Sequence, residues 1–318
     1  MAKRFGAFII SVMLGLCMVP TLSGCKSEVY VPEDKQPTVS APVIGKSGVL
    51  RVGVDTESSP FAGKPADTII GLNVDIAAAI ADEFGLKLVV VDVGTDVDNA
   101  LQDGLVDIVM GVDKADTAIA CWRSEAYIQS GVALFALSSD APVPAQDSGA
   151  RIAAQSSSMS AWEVNRQYGE ESLISSPDLK TVFSDLAAGS VAYAAADAVI
   201  GTYAAYSSNP RVDVSIVALL QKPSGYSVGV LDDNAELKQL VSDVLLKLTA
   251  NGMIGLVETK WLGGSIDLTS VPFAEGVVTQ EAVEETPDEP EEEGEDEGEG
   301  EGEGEEDWNP DEEDEDTW

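Results

Sequence analysis

The sequence predicts an α/β fold of mainly parallel sheets flanked by helices. Three observations support this. Residues 49–54, 86–93 and 106–110 are short apolar runs rich in β-branched side chains, the pattern of buried strands. Helical patterns separate them, at 76–84 and 98–104, giving the order β-α-β-α-β of a parallel sheet with helices packed on it. The same alternation then starts again after residue 150.

Within the first unit, Ile76, Ile80 and Phe84 recur every fourth residue beside Ala77 and Ala81, so one helix face is apolar. Gly85 ends that helix. Residues 86–93 read as a strand covered on both faces, and 106–110 as a buried strand ending at Gly111. Ligands of such sheets bind beyond the carboxyl ends of the strands, here 55–61 and 111–116. In the second unit, 151–154, 190–195 and 212–219 read as strands and 158–168, 178–188 and 198–208 as helices. Helices at 234–250 and 253–262 close the globule.

The flanks are of other material. Lys3 and Arg4 precede an apolar run, 5–19, that is short for a membrane span, so 1–25 reads as a targeting leader. Leu22-Ser23-Gly24-Cys25 resembles a lipobox, which assigns a lipid to the Cys25 thiol. Residues 26–46 carry Pro32, Pro37 and Pro42 among polar residues and read as an extended tether. From 276 to 318 Glu, Asp and Gly dominate without a base, a composition that predicts a disordered acidic tail.

Charge and composition exclude several functions. The net charge is −38, and 24 of the 56 acids lie at or beyond Glu275, so the globule itself is moderately acidic. Nucleic acid is excluded as a partner, because no basic patch is present to meet phosphates. The chain has no His, which removes His-based catalysis and His metal sites, and neither a metal nor a cofactor is expected. With Cys only at 17, 25 and 121, no disulfide framework is implied, and Cys121 reads as a buried small apolar residue. Trp122, Trp162 and Trp261 read as core residues.

Gly71-Leu72-Asn73-Val74-Asp75-Ile76, the opening LRVGVDTESSPF (50–61), KPSGYSVGV (222–230) and the ending 236–263 occur in one order. Together they resemble the extracytoplasmic solute-binding proteins of ABC transporters, amino-acid-binding family, with Asn73 where an acid is usual. The resemblance implies the two-lobe periplasmic-binding-protein type 2 fold. Lobe 1 would be 47–137 and 225–264 and lobe 2 138–224, joined by a two-strand hinge that closes on a ligand. It further implies a monomer, lipid-anchored on the outer face of the bacterial cytoplasmic membrane, that delivers a small polar amino-acid-like or amine solute to an ABC permease. An extracytoplasmic sensor or scavenger of the same solute is the alternative. A dehydratase-like enzyme is a third; it would draw its acid and base from Asp55, Asp113, Asp197 and Lys114.

The resemblance also implies a ligand set. Asp197, after a strand and before a helix, stands where an acid takes the ligand's amino group, and the position equally suits a helix N-cap. Ser157 and Ser158, in Gln155-Ser156-Ser157-Ser158, match a donor turn at a helix N-terminus, where plain capping is again the alternative. Asp55 matches an acid that contacts basic side chains in some relatives, or bonds its own turn, and Ser58 stands where an aromatic is common. The segment Gly111-Val112-Asp113-Lys114 lacks the Arg that pairs with an α-carboxylate in relatives. Lys114 is the near positive charge, without a bidentate fork, and Arg123 lies further along the chain.

Overall fold

A computed structural model describes residues 35–277. The leader with Cys25, the first part of the tether and the tail beyond 277 lie outside the described residues. Two sheets form the frame. Strands β1 (Val49–Val54), β2 (Lys87–Asp92), β3 (Ile108–Asp113), β4 (Trp122–Arg123), β5 (Ile128–Ser130) and β11 (Ser224–Val230) make the first, in the order β2-β1-β3-β11-β4 with β5 also on β11. β1 runs parallel to β2 and β3, and β11 returns antiparallel to β3. Helices α1 (Leu72–Glu83) and α2 (Val97–Gln102) connect the parallel strands, and α6 (Ala235–Ala250) and α7 (Met253–Leu262) pack on the same lobe. Leu72, Ile76 and Ile80 of α1 are fully buried among Leu50, Val52 and Ile108, so the fourfold spacing does face the sheet.

The second sheet holds β6 (Val132–Ala136), β7 (Ile152–Gln155), β8 (Leu173–Ser176), β9 (Tyr193–Asp197) and β10 (Ser215–Leu219), ordered β10-β6-β9-β7-β8. Its helices are α3 (Met159–Tyr168), α4 (Leu179–Ala187) and α5 (Ala198–Tyr206). Side chains alternate across it. Val132, Leu134 and Ala136 face one apolar cluster with Val164, while Ala133 and Phe135 face the other with Phe183, so both faces are covered. The Phe135 and Phe183 rings meet edge to face at 5.4 Å.

Four expectations are corrected. Residues 86–93 form an edge strand, not one covered on both faces, and Val89 is 44% exposed. The tether's second half is packed rather than extended. Val39 and Ile44 are buried in the first lobe's core, and the Thr38 amide donates to the Phe84 carbonyl. The chain leaves the first sheet at Gly131, not after Leu137, because Val132–Ala136 already belongs to the second sheet. Strand β3 continues through Gly111, at φ +83°, to Asp113.

The lobes are joined by more than the two expected crossings. The first passes at Gly131, where a Cβ would stand 3.1 Å from Pro223 of the second, so a side chain there would wedge the two apart. A third segment leaves α7 and returns to lobe 2. Leu268 and Ala274 are buried in lobe-2 clusters, the Leu219 amide donates to the Pro272 carbonyl (2.9 Å), and the Ala274 amide donates to the Leu219 carbonyl (2.8 Å).

Candidate functional site in the interlobe cleft

The carboxyl ends of β1, β3 and β9 open on a cavity of about 650 Å³ and an adjoining recess of about 50 Å³. Asp55, Ser58, Gly111, Val112 and Asp113 line the cavity; Asp113 and Asp197 line the recess, and Tyr226 of β11 lines both.

Asp197 ends β9 and caps α5. Its Oδ1 accepts from the Val199 and Ile200 amides (3.0 and 2.9 Å), and its Oδ2 accepts from Ser130 Oγ (2.5 Å). The cap is therefore made, and the same carboxylate borders the recess. Burial pushes its pKa above the ordinary carboxylate range, against the hydrogen bonds that hold the charge, and Asp113 adds to the rise. Asp113 accepts from Ser224 Oγ (2.5 Å) and from the Ala115 amide (2.8 Å). Ser130 and Ser224 are partners across the β5–β11 ladder, so the paired crossing strands hold one carboxylate from each lobe. Burial, and then the Asp197 and Asp113 charges, push the Tyr226 phenol upward and keep it neutral.

Asp55 bonds within its own turn, accepting from the Glu57 amide (3.0 Å) and Ser58 Oγ (2.6 Å), while still lining the cavity. Lys114 does not line the cleft; its Nζ pairs with Glu125 at 2.7 Å. Arg123 caps the 113–116 loop instead, with Nη1 donating to the carbonyls of Asp113 (3.4 Å) and Asp116. Ser157 and Ser158 lie with Met159 and Trp162 in a separate shallow pocket on lobe 2, and Ser158 caps α3 through the Ala161 amide (3.1 Å). Among the described residues, six acids and no Lys or Arg line the main cavity.

The profile of bacterial extracellular solute-binding proteins, family 3, matches residues 50–264. The chain belongs to that family. No curated protein sequence matches it. Solved structures of like fold include a polar amino acid ABC uptake transporter substrate-binding protein from Streptococcus thermophilus, at 18% identity and TM-score 0.60, covering 69% of this chain and 88% of that one. The L-cystine solute receptor of Neisseria gonorrhoeae, unliganded and open, aligns at 20% identity and TM-score 0.58, over 69% and 94%. An ancestral cationic amino acid solute-binding protein aligns at 22% and 0.57, over 68% and 96%. The family-3 protein thus has the two-lobe type 2 fold that its motifs predict.

Several lining residues of this family-3 protein escaped the sequence reading. The aromatic wall comes from Phe61 and Tyr226, whose ring centroids are 4.2 Å apart, rather than from position 58. Both lie inside motifs that carry the resemblance, so their chemical type was a usable signal. Asn73, where relatives have an acid, is buried and accepts from the Tyr127 hydroxyl (2.6 Å). A Cβ on Gly111 would come within 2.6 Å of its Nδ2, so glycine there serves both a positive φ and close packing. Trp162 is 56% exposed beside the 157–158 turn and stacks under Arg166, which corrects its reading as a core residue.

Proposed function

We propose that the protein is a lipid-anchored extracytoplasmic binding protein that captures a positively charged amino-acid-like or amine solute between its lobes and delivers it to an ABC permease. One observation carries the choice of charge: the cavity has six lining carboxylates, a seventh in the recess, and no lining base among the described residues. The fold is shared by proteins described as binding polar amino acids, cystine and cationic amino acids, so architecture leaves the ligand open and the lining must decide. A carboxylate entering this cleft loses its hydration and meets like charge, whereas an ammonium offsets the desolvation of Asp197. Binding is favoured over turnover because Asp55, Asp113 and Asp197 are all held by local hydrogen bonds.

The test is calorimetry against glutamate, glutamine, arginine, lysine and simple amines. Amines and basic amino acids bind, and the acidic and neutral amino acids do not. Tight binding of glutamate refutes the charge argument, and its loss in Lys114→Ala would show that this lysine serves as the carboxylate anchor. The anchor is tested separately: Cys25→Ala moves the protein from the membrane to the soluble fraction in a host with the lipoprotein pathway.

A further inference from the structure

The cleft has two compartments with acids in each. The recess lies between Asp113 and Asp197, with Ser130, Ser224 and Tyr226 around it. The main cavity shares Asp113 and Tyr226 with the recess and reaches Asp55, Glu57, Asp96, Asp98 and Asp116. Where the two meet, Tyr226 stands against Phe61 and offers an apolar wall. The two cations nearest in sequence are committed elsewhere, Lys114 to Glu125 and Arg123 to carbonyls of the 113–116 loop.

We propose that the solute is a linear diamine or polyamine that lacks a carboxylate, with one ammonium in the recess between Asp113 and Asp197 and another among the acids of the main cavity. This rests on the reading of the cleft as the solute site and narrows that solute's class. A primary ammonium carries three N–H donors, and the carboxylates of Asp113 and Asp197 that line the recess have lone pairs to meet them. Its volume of about 50 Å³ suits such a head and little more. Asp113 belongs to lobe 1 and Asp197 to lobe 2, so an ammonium between them links the lobes and favours closure. The methylene chain then lies along Phe61 and Tyr226. Among the described residues, a free α-carboxylate has no lining base to answer it in either compartment.

The experiment compares 1,5-diaminopentane, L-lysine and n-pentylamine by calorimetry on the full chain at physiological salt. Lysine adds only a carboxylate to the diamine, and pentylamine removes only one amine. The diamine binds at least about tenfold tighter than either, a difference of about 1.4 kcal/mol. Asp113→Asn and Asp197→Asn each weaken it by about 30-fold or more while leaving the unliganded melting curve cooperative, since Asn keeps a capping acceptor. Lysine binding as tightly as the diamine overturns the inference but leaves the cation-selective reading intact. Equal affinity for pentylamine overturns the second ammonium position. Unchanged affinity in Asp197→Asn overturns the recess, since diffuse attraction to the acidic chain would then suffice. Failure of every amine and basic amino acid to bind removes the cation-selective reading itself.

Discussion

Replacing Asp197 separates its two roles. The carboxylate caps α5 through two amides, takes the Ser130 hydroxyl, and carries a charge that burial disfavours. Asn keeps an oxygen for the two amides, so the cap is retained and the charge removed, while its N–H₂ can only donate to Ser130 Oγ and the Ser130 proton loses its carboxylate acceptor. Asp197→Asn is therefore expected to leave the unliganded protein as stable as wild type or about 1 kcal/mol more stable at pH 8, by analogy with neutralising a half-buried carboxylate whose partners are neutral donors. For a globule of this size that is a rise of roughly 2–4 °C in Tm. Ala loses the cap itself, worth about 0.5–2 kcal/mol, so it melts below Asn.

The pH dependence has a definite sign. The folded pKa of Asp197 is raised, so between the unfolded value and the raised one the folded state holds more protons. In that window stability falls as pH rises, and the cost is complete above the folded pKa. Asp92, Asp178 and Asp267, whose pKa values are lowered by hydrogen bonds, act in the opposite sense, so the difference between wild type and Asn is the quantity to read. The assay is urea denaturation from pH 4 to 8 with and without a cationic ligand. A difference curve that is flat with pH, or a full ligand-induced gain in the Asn variant, refutes the reasoning.

Three further outcomes follow from the packing. A chain ended after Gly264, where the family match stops, loses the buried Leu268 and Ala274 and the bonds to Leu219, and denaturation should show a loss of several kcal/mol at about 25 cal/mol per Å² of apolar surface; a chain ended after Val277 should keep wild-type stability. Cys121 is buried and its thiol is pushed up to about 11, first by burial, so a thiol reagent at pH 8 should label Cys121, read by peptide mapping, only on unfolding. Arg51→Ala strips Asp107, 8% exposed, of a 2.6 Å ion pair, and equilibrium unfolding should register a loss of roughly 3–5 kcal/mol.

Periodicity made α1 and the strands β1, β3, β7, β9 and β10 legible because burial imposes it directly, with Ile76 and Ile80 placed to avoid water, whereas β4, β5, β6 and β8 were not read as strands of their sheets. It failed where an apolar run does not reveal its neighbours. The β2 sequence is as β-branched as a central strand, yet nothing in 87–92 encodes that it has a partner on one side only. Composition misled in 35–46 for a related reason: prolines suggest a free tether, while Val39 and Ile44 are enough to bind that stretch to the lobe.

The site shows a sharper limit. Asp197 was legible because cap and ligand contact ask for the same residue at the same place, and that coincidence also hid which role it plays. Lys114 could not be judged alone, since its direction depends on Glu125, with which its ammonium pairs. Ser130 and Ser224 are single hydroxyls with no local pattern; only the β5–β11 register turns them into a matched pair. Their role is collective. Each hydroxyl steadies one carboxylate, each carboxylate comes from a different lobe, and the two converge beside the strands that lead from one lobe to the other. Selectivity for charge and coupling to closure would then reside in the same four side chains, so a substitution that relaxes one should relax the other.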